Sequence, residues 1–228
     1  MLLSEMYITK NEYDADVIPK KLFVIGKKLI QDRKRFYKNY DVDIAPAFRF
    51  NDLYNVKRIK QKNNIICLIL PVIYEDAIEI LKNFEKISHL INSNNIEIFI
   101  KPHPTLINKM NNNLSNLSFK YNTITKNIYN IISSSSVIIT GASSICMEAI
   151  VLGIPLAVIK LNRNFQLIPI PYEVDSNLWK LCKSNQDLLN YINTNLNLSD
   201  TDYTRKNELM INDYFLKPSI KTTNNLIN

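Results

Sequence analysis

The spacing of apolar residues changes along this chain, and the change divides it into elements. Between residues 65 and 160, short apolar runs alternate with longer segments whose apolar residues recur every three or four positions. Ile65 to Leu70, Ile96 to Ile100, Leu117 to Tyr121, Val137 to Thr140 and Leu156 to Ile159 read as strands, being short and rich in β-branched or aromatic side chains. Tyr74 to Asn92 reads as a helix with Ala77, Leu81, Phe84, Ser88 and Ile91 along one face. Residues 105–112 read as a short helix or loop, and Lys126 to Ser133 and Ser143 to Leu152 as helices. Runs that are apolar throughout suit strands buried on both faces. Strands alternating with helices then make an α/β parallel sheet with helices on both faces.

Outside this stretch the pattern loosens. Residues 1–20 show no periodicity, and Leu22 to Gly26 reads as a short strand. Lys27 to Tyr40 groups Leu29, Ile30, Phe36, Tyr37 and Tyr40 near one helical face, with Lys27, Lys28, Lys34, Arg35 and Lys38 around it. Such a basic amphipathic helix is either a solvated surface helix or a contact with an anionic membrane. Ala45 to Phe50 looks like an ordered loop, and Arg58 to Lys62 a basic linker. After Lys160 comes a proline-fixed loop, Ile168 to Glu173. Two helices follow, Ser184 to Asn195 with a serine cap and Asp202 to Phe215 closed by Pro218. The expected division is 1–60, a linking segment with the basic helix, and 61–228, the main domain.

Composition narrows the partners. A chain of 228 residues, 46% hydrophobic and 21% charged, can bury one good core or a domain with an appendage. A net charge of +7 suits nucleic acid, an anionic membrane or a phosphate-bearing small molecule. No aromatic-basic module points to nucleic acid. Cys67, Cys146 and Cys182 are far apart, and with two histidines in the chain a zinc site is not expected. Three Asp-x-Asp pairs, Asp14/Asp16, Asp41/Asp43 and Asp200/Asp202, follow no nucleotide-binding strand and read as chance. The start, with Ser4 and Glu5, does not resemble a signal peptide, and no apolar run approaches a membrane span. The expected location is cytoplasmic, the basic helix offering peripheral attachment to the inner face of the membrane.

Two segments carry the candidate chemistry. Thr140 to Pro155, T-G-A-S-S-I-C-M-E-A-I-V-L-G-I-P, reads as strand end, tight turn, helix and helix stop. Gly141 is expected to make the turn, and Ser143 and Ser144 to cap the helix. Glu148 lies one turn inside it. Gly153 ends the helix and Pro155 prevents its continuation. A helix start of this kind suits an anion. The second segment is Lys101-Pro102-His103-Pro104, directly after the strand Ile96 to Ile100. A histidine held between prolines either caps the turn or offers a hydrogen bond to a phosphate at the carboxyl ends of the strands, where α/β sheets bind ligands. Neither G-x-G-x-x-G nor G-x-x-x-x-G-K-[ST] occurs, so nicotinamide enzymes and P-loop ATPases are disfavoured.

Together, K-P-H-P at 101–104 and T-G-A-S-S-I-C-M-E-A-I-V-L-G-I-P at 140–155 resemble the carboxyl-terminal half of GT-B sugar transferases of bacterial surface carbohydrates. The groups in question are capsular polysaccharide and sialic-acid-polymer transferases and CDP-glycerol glycerophosphotransferases. The resemblance implies a Rossmann-like domain that binds a CMP-, CDP- or UDP-linked sugar without a cofactor or metal. Lys101, His103, Pro104, Gly141, Ser143, Ser144 and Glu148 are the implied donor-binding residues. His103 is the implied catalytic one, on the leaving phosphate, and Glu148 would take a ribose or sugar hydroxyl. Such enzymes hold the acceptor on a second domain, for which 228 residues leave no room, so a separate acceptor-domain chain is an expected partner. Two further readings stay open: a non-catalytic nucleotide- or protein-binding scaffold of the same fold, and an enzyme like the UDP-N-acetylglucosamine 2-epimerases.

Overall fold

The computed structural model describes residues 10–18, 20–29, 41–56, 64–92, 95–124, 128–166, 168–170, 174, 176–196, 213–219 and 222. Most of the basic helix expected at Lys27 to Tyr40, the basic linker and most of the helix expected at Asp202 to Phe215 lie outside the described residues. Two compact units divide the chain: Met1–Asn55 with Arg205–Asn228, and Val56–Thr204. The tail expected to belong with 61–228 thus clusters with the amino-terminal segment.

In the first unit, α1 (Lys10–Asp14) precedes two parallel strands, β1 (Leu22–Val24) and β2 (Val42–Ile44). A 3-10 helix, Phe48–Asn55, follows and kinks at Phe50. The tail joins by main-chain bonds: the Leu216 N–H donates to the Ile25 carbonyl, and the Ala47 N–H to the Leu216 carbonyl. Asp41 and Asp43 both pair with Lys21, so this Asp-x-Asp is engaged by a lysine.

The second unit is the α/β sheet. Its elements in order are β3 (Asn64–Ile69), α2 (Tyr74–Ser88), β4 (Ile96–Lys101), α3 (Ile107–Ser115), β5 (Asn122–Thr123), α4 (Tyr129–Ile132) and β6 (Val137–Thr140). Then come α5 (Ile145–Val151), β7 (Leu156–Ile159), β8 (Trp179–Cys182) and α6 (Asn185–Leu196). The strands lie in the order β5-β4-β3-β6-β7-β8, and every pairing is parallel. Counted from β3, this is the order 3-2-1-4-5-6 of doubly wound Rossmann sheets.

Burial explains the apolar runs. Ile66, Leu68, Val137 and Ile139 join Phe84, Met110 and Ile192 in one cluster, so α2, α3 and α6 cover one face. Alternate residues point the other way. Ile65, Cys67, Ile138 and Leu156 are also buried, Cys67 beside Ser135, and α5 packs on β7. A strand covered on both sides has no polar alternation to show.

Two expectations need correction. Leu117 to Tyr121 forms no strand; the third strand is the two-residue β5, paired with β4 at Phe99 and Ile100. The apolar side chains of the segment are used otherwise. Phe119 sets its ring edge-on against Phe84 and Tyr121, and Leu117 packs on the same core. Second, β8 was not anticipated. Its side chains are half-buried except Cys182, as suits an edge strand with a weak apolar signal.

Helix ends follow local chemistry. Ser184 Oγ accepts from the Asp187 N–H at 3.1 Å, the expected serine cap of α6, and Asp187 reaches back to the Lys183 N–H. At the end of α5, Gly153 has φ 70°, its N–H bonds to Ile150 O, and the Ile154 N–H bonds to Ala149 O. This pair of bonds is a Schellman stop with glycine in the left-handed position, as the sequence predicted.

All three cysteines are free and buried, and burial pushes each thiol up to about 12. Deprotonation is thus suppressed in the folded state at pH 8, and only thiolates react. A thiol reagent should therefore label none of the three in the native chain and all three after unfolding. Rapid labelling of any cysteine without denaturant would contradict the burial.

Candidate functional site

The strand order changes direction between β3 and β6, so the carboxyl ends of these two strands flank the crevice where such sheets bind ligands. β4 lies beside β3 on the far side and runs parallel to it. Lys101 is opposite Ile69 in the β4–β3 register, and Thr140 is opposite Ile69 in the β6–β3 register. The loops that begin at Lys101 and at Gly141 therefore leave the sheet on one edge, one strand apart. Thr140, fully buried, donates its hydroxyl to the Ile69 carbonyl at 2.7 Å and ties β6 to β3 at the base of the crevice.

The Lys101–Pro104 turn is rigid for identifiable reasons. Pro102 is buried, and the Lys101 carbonyl accepts the Leu70 N–H at 2.9 Å. Pro104 begins a 3-10 turn, Pro104–Leu106, where its missing N–H costs nothing. His103 is half-buried and caps this turn. Its Nδ1 lies 2.8 Å from Thr105 Oγ1 and accepts from the Thr105 N–H at 3.3 Å. A main-chain N–H can only donate, so Nδ1 is the acceptor. The proton of the neutral ring is then on Nε2, which is left as a donor. The capping reading of His103 and the ligand-donor reading are compatible, because they use different nitrogens.

The β6–α5 turn departs from expectation in two ways. Ser144 occupies the cap position of α5 with helical φ and ψ, and its side chain makes no capping bond. Main-chain carbonyls do that work: Ser143 O accepts the Cys146 N–H at 3.1 Å and Ser144 O the Met147 N–H at 3.2 Å. Because the backbone closes the turn itself, neither half-buried hydroxyl is drawn into capping. Gly141 was expected for its conformational freedom, but it has no positive φ. Its need is space: an added Cβ would lie 3.2 Å from Leu161 Cδ1 and 3.3 Å from Ile80 Cδ1.

Glu148 sits in the first turn of α5 and is buried, 7% exposed. Tyr129, the first residue of α4, donates its phenol hydroxyl to Glu148 Oε2 at 2.8 Å. Sequence reading singled out Glu148 but not Tyr129, which carries no local mark and meets Glu148 only through the fold. The run Ser133-Ser134-Ser135 follows α4, each hydroxyl donating to a carbonyl of the preceding turn.

A second structure at this edge also went unread. Asp76, buried in the first turn of α2, accepts from Arg163 Nε at 2.6 Å, and Glu79 accepts the Asn162 N–H at 3.0 Å. Gln166 donates to the Ile159 carbonyl and accepts the Leu161 N–H. The loop after β7 is thereby fastened to α2. On the β3–α2 loop, Val72 and Ile73 are exposed. Among the described residues there is no group of three or more metal-ligating side chains, and no helix is long and apolar enough to cross a membrane.

No protein-family model and no curated protein matches the sequence. Solved structures do match in fold. The chain is similar to MnaA of S. aureus, in a structure with UDP, at 15% identity and TM-score 0.58 over 93% of this chain and 59% of that one. It is similar to TarM at 14% identity and TM-score 0.57, over 95% of this chain and 45% of that one. In a structure of accessory secretory proteins 1, 2 and 3 from Streptococcus pneumoniae the values are 9% and 0.57, over 95% and 44%. The chain thus spans about half the length of the structures it matches. At these identities the likeness establishes the fold alone, an α/β Rossmann-like domain.

Proposed function

We propose that this chain is the nucleotide-donor-binding part of a GT-B glycosyltransferase of surface-glycan synthesis, working with a further domain, in the same or another chain, that holds the acceptor. One observation carries the reading: His103 and the Ser143–Ser144 pair leave the same carboxyl edge of the sheet, on the strands either side of β3, at the switch point. The Nε2–H of His103 and the two serine hydroxyls are all hydrogen-bond donors, which is the chemistry a phosphate needs. Lys101 adds a cation at the end of β4. Glu148 accepts instead of donating and suits a sugar or ribose hydroxyl.

In transfer, the bond between the sugar and the nucleotide phosphate breaks and negative charge grows on the departing phosphate. Donors already in place stabilise that charge without reorganising. The likeness to a structure solved with UDP supports a nucleotide ligand, with uridine diphosphate as one candidate. Proton removal from the acceptor falls to the further domain, so the isolated chain binds donor without transferring sugar.

Calorimetric titration with CMP, CDP, UMP and UDP, with and without magnesium, tests the reading. The chain should bind at least one of them weakly, and magnesium should not be needed. His103→Ala or the double change Ser143→Ala/Ser144→Ala should weaken binding by about 1–3 kcal/mol, as expected for charge-assisted hydrogen bonds. Absence of binding to all four by a folded chain would favour the scaffold reading, and robust turnover by the chain alone would remove the need for a further domain.

A further inference from the structure

We infer that a cleft at the amino edge of the sheet, between β8 and the second half of α6, is a second ligand site that takes a saccharide, with the Asn195 side-chain oxygen as its anchor. The cleft has a volume of about 400 Å³, and Ser176, Lys180, Asn190, Tyr191, Thr194 and Asn195 are among its lining residues. Small-molecule sites span roughly 300–1,000 Å³, whereas a single water needs only about 15 Å³. Leu156 and Trp179, which begin β7 and β8, are register partners. Tyr191 accepts the Leu156 N–H at 3.1 Å and donates to the Leu178 carbonyl at 2.8 Å, which fixes the cleft at this end of the strands. The loops that begin at Lys101 and Gly141 leave the opposite edge, so the inference stands apart from the donor-site reading.

One atom calls for a ligand. Asn195 is 6% exposed, and its Nδ2 donates to the Tyr191 carbonyl at 2.8 Å. That bond fixes the amide's orientation, because the flipped amide would set two oxygens together. Oδ1 is then left without a partner, a state that only the Tyr54 hydroxyl shares among the buried side-chain polar atoms of the described residues. A buried acceptor left bare is costly, and an apolar side chain at the same place would avoid the cost. A ligand that brings an O–H or N–H to Oδ1 accounts for it. The neighbouring groups narrow the choice. Ser176, Asn190 and Thr194 carry hydroxyls and an amide, which both donate and accept, as the vicinal hydroxyls of a sugar do. Asp187 lies 3.5 Å from the Lys180 ammonium and offsets its charge, so the cleft does not select an anion. Oδ1 is covered, and Ser176, Asn190 and Thr194, all exposed, are the side chains that turn aside to admit a sugar hydroxyl.

The test is a nitrogen-15 NMR titration of the full chain with D-glucose, N-acetyl-D-glucosamine and cellobiose, and with cyclohexanol as a ring of similar size bearing one hydroxyl. At least one saccharide should shift the Asn195 side-chain amide saturably, with Kd in the millimolar range, together with the main-chain amides of Lys180 and Thr194. Cyclohexanol should not. Asn195→Leu should weaken saccharide binding by about 5- to 10-fold, the ratio one hydrogen bond supplies, and leave the unfolding midpoint equal or higher because the bare acceptor is gone. A purely structural asparagine would instead lower the midpoint and leave affinity unchanged. Ser176→Trp closes the mouth from an exposed position and should abolish the shifts, which tests the inference even if Asn195→Leu does not fold. Four results would overturn it: no saccharide moves the Asn195 amide, so that water alone serves Oδ1; the shifts are confined to residues near His103 and Ser143; cyclohexanol acts as the sugars do; or either variant keeps full affinity. Loss of nucleotide binding in His103→Ala with saccharide binding intact would confirm that the two sites are separate.

Discussion

Alanine at position 26 is expected to cost the amino-terminal unit on the order of 4 kcal/mol or more, enough to unfold it. A Cβ built on Gly26 lies 2.6 Å from the Asp213 carbonyl oxygen and closer still to the Tyr214 carbonyl. Both obstacles are main chain and cannot rotate aside. Moving them would separate Leu216 from Ile25, whose bond is 2.6 Å long, and from Ala47. It would also withdraw Phe215, fully buried and edge-on to Phe50 at 4.7 Å between ring centres. Gly141→Ala provides the contrast. There the new methyl crowds the terminal carbons of Leu161 and Ile80, which can shift, and reaches Pro71 Cγ at an ordinary 3.9 Å, so about 1 kcal/mol is expected. Chemical denaturation of both variants, with hydrogen exchange at the Leu216 amide, decides the matter. Equal stability of the two variants would refute the main-chain contact.

The second large effect is expected at Phe84. Phe84→Ala should destabilise the α/β unit by about 3–5 kcal/mol, the usual range for deleting a buried aromatic ring. Phe84 is fully buried on the inner face of α2, in the cluster that holds Ile66, Leu68 and Ile100 of the central strands. Its ring centre lies 5.1 Å from that of Phe119 in an edge-on arrangement. The substitution thus opens a cavity beside β3 and β4 and also removes the support of residues 117–121. Denaturant unfolding should show a lower midpoint with an unchanged slope, and exchange should speed up at Phe119 and Tyr121 before the central strands. A loss below about 1 kcal/mol would mean that the core closes over the gap.

Much of this protein is written locally. The apolar runs of β3, β4, β6 and β7, the amphipathic stripe of α2, the serine cap of α6 and the glycine stop of α5 each depend on residues within a few positions of one another. Period and capping act at that range, so the α/β class and the two strand-end segments could be read directly. The folded chain decided what depends on distant partners. Nothing near Leu117 to Tyr121 says that its aromatic rings are needed against Phe84, so an apolar run became a packed loop. β8, half-buried at an edge, lacks the apolar run that marks a central strand. Whether Ser144 or the backbone closes the α5 turn depends on its φ and ψ. Asp76 meets Arg163 from 87 residues away, and Thr140 meets the Ile69 carbonyl from 71. Tyr129 reaches Glu148 because α4 and α5 both start from the carboxyl edge of the sheet. Sequence placed His103 and Ser144 at the ends of strands; the order β4-β3-β6 put those ends on one edge, because parallel pairing aligns carboxyl termini whatever the separation along the chain.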